Sequence, residues 1–229
     1  MIEFLLLDLD DTILDFHKAE RIALSKTIRE FGVEPTEEVL SRYHLINKWH
    51  WEQLELGKMT RGEVLTGRFK MLFEELGLAV DPVKMQAGYE RNLSIGHYFL
   101  PGAEETVEYL SKRYKLYLAS NGTAVVQKGR MTSANLYRFF QKSFVSEEIG
   151  HNKPSLAYFE AAFAQIPNFD KSKALMVGDS LSSDIKGGIN AGIRTCWVNP
   201  SHAQARPDIQ PDYEIEALHQ LPKLLETLE

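Results

Sequence analysis

Four short apolar runs punctuate the chain: Phe4 to Leu7, Leu116 to Ala119, Ala174 to Val177 and Thr195 to Val198. Each is continuous, not alternating, which is the pattern of a strand buried on both faces. A further short strand is predicted near Phe144 to Ser146. Helical patterns lie between the runs, at Glu104 to Leu110, Ala157 to Ala164 and Ile185 to Ala191. Strands alternating with helices predict an α/β domain, a parallel sheet with helices on both faces.

The stretch from Phe16 to Ile95 breaks this rhythm. It reads as four helices, 18–31, 37–54, 61–76 and 82–92, with Gly32, Gly57 and Gly77 where helices should stop. A helical block is therefore inserted after the first strand, and Leu100-Pro101-Gly102 marks the return. The expected organisation is a discontinuous core of residues 1–15 and 96–229 around a helical cap of residues 16–95, with hinges near Asp15-Phe16 and Ile95-Gly96.

Composition narrows the class. The 229 residues exceed one domain of ~150, and the inserted block accounts for the excess. A hydrophobic share of 44% and a charged share of 25% are those of a globular chain. A formal net charge of -6 argues against a basic nucleic-acid binder. The one cysteine, Cys196, excludes an intrachain disulfide and a cysteine-based zinc cluster; in an apolar strand it is expected to be an inert buried thiol. The N-terminal apolar run stops at Asp8 and has no basic lead, unlike a signal peptide or a membrane span. The expectation is a cytoplasmic protein without a nucleic-acid or membrane partner, and the sequence leaves monomer and homodimer open.

Ligands of open α/β sheets bind beyond the carboxyl ends of the strands. The polar residues that follow the apolar runs should therefore converge: Asp8, Asp10 and Thr12, then Ser120 and Asn121, then Asp179 and Asp184, with Lys153 from the loop after the strand predicted near Phe144 to Ser146. Carboxylates clustered in a partly buried site repel one another. A hard cation such as Mg²⁺ relieves that repulsion, with Asp8 and Asp179 as ligands and a backbone oxygen near Asp10. Asp8, at a strand tip, is placed to act as a nucleophile on phosphorus, and Asp10 as general acid and then base. Ser120 and Lys153 offer a hydroxyl and a positive charge to phosphate oxygens. Asp184 is expected to orient Lys153 or metal-bound water. Asp11 reads as a turn residue, and Thr12 as a hydroxyl bonded to the turn backbone.

Asp8-Leu9-Asp10-Asp11-Thr12, Ser120-Asn121, Lys153-Pro154, and Gly178-Asp179 with Asp184 resemble, in order, the four motifs of the haloacid dehalogenase superfamily. Within it the chain resembles the house-cleaning pyrimidine 5′-nucleotidases. That likeness rests on Ser120-Asn121-Gly122, Ser146-Glu147-Glu148, the segment Gly187 to Gly192 running on to Thr195-Cys196-Trp197, and, in the cap, Asn47-Lys48-Trp49 and Gly67-Arg68-Phe69. The resemblance implies a Rossmann-like, doubly wound core with an inserted helical cap. It implies Mg²⁺-dependent hydrolysis of phosphomonoesters through an aspartyl-phosphate, with Mn²⁺ or Co²⁺ as substitutes, and nucleoside 5′-monophosphates such as UMP, dUMP and dTMP as substrates. It places Asn121, Lys48, Arg68 and Trp49 among the substrate contacts. Dehalogenases and phosphonatases of the superfamily lack the second aspartate of the first motif, so Asp10 favours phosphate-ester chemistry.

Plainer readings compete at several positions. Ser120 is also a candidate helix N-cap, and Asp184 a first-turn helix acid. Tyr43, Trp49, Trp51, Phe69 and Phe73 read first as cap core, with stacking on a pyrimidine ring as the sharper alternative. His17 reads as structural. At the level of function, a sugar-phosphate phosphatase on the same scaffold is the nearest competitor. A phosphoacceptor signalling module, which also gathers an acidic cluster, a hydroxyl and a lysine around Mg²⁺, is the competitor from another class.

Overall fold

The computed structural model describes residues 1–228. The chain forms two compact units, Met1–Phe16 with His97–Glu229, and His17–Gly96.

In the first unit the strands are β1 (Phe4–Leu7), β2 (Lys115–Ser120), β3 (Lys142–Val145), β4 (Ala174–Gly178), β5 (Arg194–Val198) and β6 (Tyr213–Ile215). All pair in parallel, in the order β3-β2-β1-β4-β5-β6. Leu5 sits between Leu116 and Leu175, and Leu7 between Leu118 and Val177. The side-chain period of two then divides each strand between two cores. Leu5, Leu7, Leu116, Leu118, Leu175, Val177, Cys196 and Val198 pack on one face. Phe4, Leu6, Tyr117, Ala119, Phe144, Ala174 and Met176 pack on the other. Both faces are covered, which is why the strands read as unbroken apolar runs. This is the Rossmann-like α/β core that the sequence predicts.

The helices of the second unit are α1 (Phe16–Glu30, its first residue still in the other unit), α2 (Glu37–Glu55), α3 (Arg61–Glu75) and α4 (Pro82–Leu93). Their ends follow local chemistry. Thr36 caps α2 through Val39 N. Thr60 and Glu63 form a reciprocal capping box on α3, and Asp81 caps α4 ahead of Pro82. Gly32, Gly57 and Gly77 take the left-handed conformation after the helices, as their positions suggested. Tyr43, Phe69 and Tyr89 meet ring to ring in the core of this unit, with centroids 5.2 to 5.7 Å apart. Phe73 is also buried there.

Back in the first unit, α5 (Ala103–Ser111), α6 (Ala124–Ser133) and α10 (Leu221–Glu226) contribute to the first core through Val107, Met131 and Leu221. A short helix α7 (Ser146–Ile149) follows β3 directly, so Ser146 begins a helix instead of ending the strand. Helices α8 (Leu156–Phe163) and α9 (Lys186–Ala191) serve the second core. Gly187 lies against the Phe159 ring and Gly188 against Thr195, where an added methyl would collide at 2.5 Å. These glycines permit close packing. Among the described residues, no helix is long and apolar enough to cross a membrane.

Candidate active site

The chain runs outward from β1 through β2 to β3, then returns to β4 on the other side of β1. That reversal opens a crevice past the carboxyl ends of β1 and β4. Asp8 follows β1, Ser120 ends β2, and Asp179 follows β4, so sheet topology alone brings them together.

Lys153 is the hub. Its side chain is 1% exposed, and Nζ donates to Asp8 Oδ1 at 2.7 Å, Asp184 Oδ1 at 2.6 Å and the Ala119 carbonyl at 2.6 Å. Three donors thus meet three acceptors. The lysine backbone is held by Asn121, whose Oδ1 accepts from Lys153 N at 2.8 Å while its Nδ2 donates to Lys153 O at 2.9 Å. Asn121, expected to contact substrate, has both ends of its amide engaged on this loop.

Asp184 is not a first-turn α-helical acid. It lies in a π-helical turn, Leu181–Ile185, where Ile185 N reaches back five residues to Ser180 O. The wider turn carries the carboxylate inward, and Ser180 N donates to Oδ2 at 3.1 Å. Gly178 makes room for it, because a Cβ there would fall on the Asp184 carboxylate.

Asp8, Asp179 and Asp184 can bring one oxygen each within 4.8 Å of one another. Burial pushes Asp8 up to about 8, with repulsion from Asp184 and Asp10 adding to it and Lys153 opposing. Burial, then repulsion from Asp184, Asp8 and Asp11, holds Asp179 well above the usual carboxylate range. Burial alone would lower Lys153, but Asp184 and Asp8 outweigh it and keep the ammonium charged. One ammonium does not balance this negative cluster. An all-oxygen donor set with buried excess negative charge suits a hard divalent cation such as Mg²⁺.

Asp10 is gripped from α6. Gln127 Nε2 donates to Oδ2 at 2.7 Å and also to Ser120 Oγ at 2.7 Å. Arg130, fully buried with its guanidinium 5.7 Å from the Phe16 ring, forms an ion pair with Oδ1. The Asp10 side chain keeps 27% of its exposure. The reading of the sequence missed both α6 residues. The available signal was their spacing, since Val126, Gln127, Arg130 and Met131 form the buried stripe of the helix and two of the four are polar.

Other positions fall differently. Ser120 is not a helix N-cap, because Thr123 occupies the residue before α6. Asp11 is the turn residue expected, with φ of 53° and Oδ1 accepting from Phe16 N at 2.9 Å. The Thr12 hydroxyl does not bond the turn backbone; it is buried with no hydrogen-bond partner among the described residues. Cys196 is buried in β5, which pushes its thiol up to about 12. In the helical unit Lys48 is exposed and Trp49 is 42% exposed. Arg68 is 3% exposed and donates to Asn47 Oδ1 and Gln86 Oε1, both at 2.7 Å. Its guanidinium is engaged inside this unit.

A parallel sheet of this order, with an aspartate pair beyond β1, a lysine hub and further aspartates beyond β4, is the pattern of a haloacid dehalogenase-like hydrolase with a Rossmann-like core. The chain belongs to that family: the haloacid dehalogenase-like hydrolase model matches residues 5–198. Among its relatives is YfnB of Bacillus subtilis, described as a HAD-hydrolase, 40% identical with 96% of this chain and 94% of the relative covered. The crystal structure of YfnB, bound to magnesium, superposes with a TM-score of 0.94 over 98% of both chains. The pyrimidine 5′-nucleotidase PynA of Streptococcus pneumoniae is 39% identical, covering 96% of this chain and 93% of its own. The pyrimidine 5′-nucleotidase YjjG of Escherichia coli is 32% identical, covering 97% of each.

Proposed function

We propose that this hydrolase is a Mg²⁺-dependent phosphomonoesterase acting on pyrimidine nucleoside 5′-monophosphates through an aspartyl-phosphate. The observation that carries the chemistry is the pairing of Asp8, bonded to a buried ammonium, with Asp10, held separately and partly exposed. Two carboxylates two residues apart are thereby held by different cations at different depths, Asp8 buried on Lys153 and Asp10 within reach of water on Arg130, which suits a nucleophile beside a group that exchanges protons. The pyrimidine assignment draws on the kinship with PynA and YjjG.

In this mechanism an Asp8 carboxylate oxygen bonds to phosphorus and the phosphorus–ester oxygen bond breaks. Asp10 gives its proton to the departing oxygen. Water then attacks phosphorus, its proton passes to Asp10, and the bond to Asp8 breaks to release phosphate. Ser120 holds a phosphate oxygen, and Lys153 joins it by turning the proton it now gives Asp8 to a phosphate oxygen as Asp8 bonds to phosphorus. Gln127 and Arg130 keep Asp10 in place, and Asp184 and Asn121 keep Lys153 in place. Asp8 and Asp179, with a backbone oxygen near Asp10, would hold the cation. When bound it offsets the negative charge of the carboxylates and of the phosphate. The buried Thr12 hydroxyl, without a hydrogen-bond partner among the described residues, would be satisfied by a bound water. Lys48 and Trp49, exposed on the helical unit, are proposed contacts for the nucleoside, with Arg68 holding Asn47 beside them.

The test is phosphate release across a panel of nucleotides and sugar phosphates, with and without Mg²⁺. UMP, dUMP and dTMP are expected to lead, activity is expected to vanish with chelation, and Asp8→Asn should be inactive yet folded. Preference for sugar phosphates would overturn the nucleotide assignment. Wild-type turnover by Asp8→Asn would overturn the chemistry.

A further inference from the structure

The helical unit contains a second group of metal-ligating side chains, which shares no residue with the carboxylate cluster. His17 and Glu20 lie one turn apart on α1, and His44 comes from α2. One ligand atom from each lies within 4.8 Å of the other two. The two imidazole rings approach to 4.6 Å between centroids, and His44 Nδ1 is 2.7 Å from Glu20 Oε2.

Glu20 makes this more than a surface coincidence. It is 3% exposed, in a helix where an apolar residue would serve packing better. Burying a carboxylate is costly unless it is matched by charge and hydrogen bonds. Its Oε1 accepts from Asn47 Nδ2 at 2.6 Å, and Asn47 Oδ1 in turn accepts from the buried Arg68. That relay fixes the carboxylate with Oε2 towards the histidines. A carboxylate oriented from behind by a buried amide, facing two imidazoles, is how metal-binding carboxylates are typically supported. The three side chains also line an open cleft of about 350 Å³, which leaves space for water to complete a coordination shell. Arg21, the cation at the edge of this cleft, is turned to Glu37 and does not oppose an incoming ion.

We propose that His17, Glu20 and His44 bind a borderline transition-metal ion, of the class of Zn²⁺ or Co²⁺. Two imidazole nitrogens and one carboxylate oxygen suit such ions, whereas the all-oxygen cluster suits Mg²⁺. With bonds of about 2.1 Å, tetrahedral ligand atoms stand about 3.4 Å apart. The exposed His17 and half-buried His44 reach that spacing by side-chain rotation, and the His44–Glu20 hydrogen bond is replaced by bonds to the ion.

The experiment uses the whole chain in excess Mg²⁺, to occupy the carboxylate cluster, and follows Co²⁺ by equilibrium dialysis and visible absorption. The expected result is one retained equivalent of Co²⁺, with affinity reduced by at least about tenfold in both His17→Ala and His44→Ala and unchanged in Asp8→Asn. Because His17 is exposed, its variant should melt as the wild type does without Co²⁺. Binding lost in Asp8→Asn but kept in the histidine variants would overturn the proposal, as would no Co²⁺ retained at all.

Discussion

Lys153 holds a positive charge where burial alone would remove it. It does so because Asp8, Asp184 and the Ala119 carbonyl saturate its three protons. The lysine was legible in the sequence because Lys-Pro follows a strand and precedes a helix. Asp184 was legible too, as the acid that orients Lys153, and Asn121 as a site residue though not in its role on the Lys153 backbone. Gln127 and Arg130 were not, because they work by reaching carboxylates far away in sequence, and no local pattern shows where those will be. Arg130 permits a sharp test. Arg130→Met keeps bulk but removes the charge-assisted bond to Asp10, worth about 1.5–3 kcal/mol. Because Asp10 is partly exposed, water can take over its solvation, so the protein should stay folded at a stability cost within that range. Freed from its clamp, Asp10 should lower kcat by roughly 100-fold with little change in KM. Urea unfolding and steady-state kinetics measure both, and an unchanged kcat would show that the clamp does not serve the reaction.

Among elements, legibility followed burial. The runs that form β1, β2, β4 and β5 are buried on both faces and stood out as apolar. The edge strand β6 did not, because it is three residues long and its middle residue, Glu214, is exposed. The helices of the second unit were legible to within one or two residues, since caps and terminal glycines mark them chemically. The π-turn after β4 was not. Nothing in Leu181-Ser182-Ser183-Asp184-Ile185 departs from an α-helical pattern, and the extra residue is needed only to bring Asp184 beside Lys153. Gly178 tests that coupling. In Gly178→Ala the new methyl meets a carboxylate that Ser180 and Lys153 both hold, so the side chain cannot step aside without moving the lysine. Overpacking of this kind costs about 1–3 kcal/mol. The melting temperature should fall and turnover should fall with it; wild-type turnover in a folded variant would uncouple the turn from the reaction.

Over the whole molecule, a net charge of -6 is ill suited to an anionic substrate, yet part of that charge is the carboxylate cluster proposed to seat the cation. Asp8 holds its proton up to about pH 8 in the folded protein, and Asp179 is raised in the same direction, whereas in an unfolded chain an aspartate loses its proton near pH 4. The metal-free fold therefore binds more protons than the unfolded chain between these values, and its stability should decline as pH climbs through that window. Mg²⁺ must displace those protons, so its stabilising effect should grow from about pH 6 to about pH 8. Melting curves at the two pH values, with and without Mg²⁺, measure this, and an equal shift at both would refute it. The strand order has a further consequence, for synthesis. β1 and β4 are neighbours at the centre of the sheet but are separated by more than two thirds of the chain. While a ribosome is still making the residues before Ala174, β1 is a bare sheet edge, a form prone to pair with other chains. The intervening helical unit has its own core and can fold in the meantime. The nascent protein must therefore shelter its most apolar strand until translation is three-quarters done, and the catalytic crevice cannot exist before then.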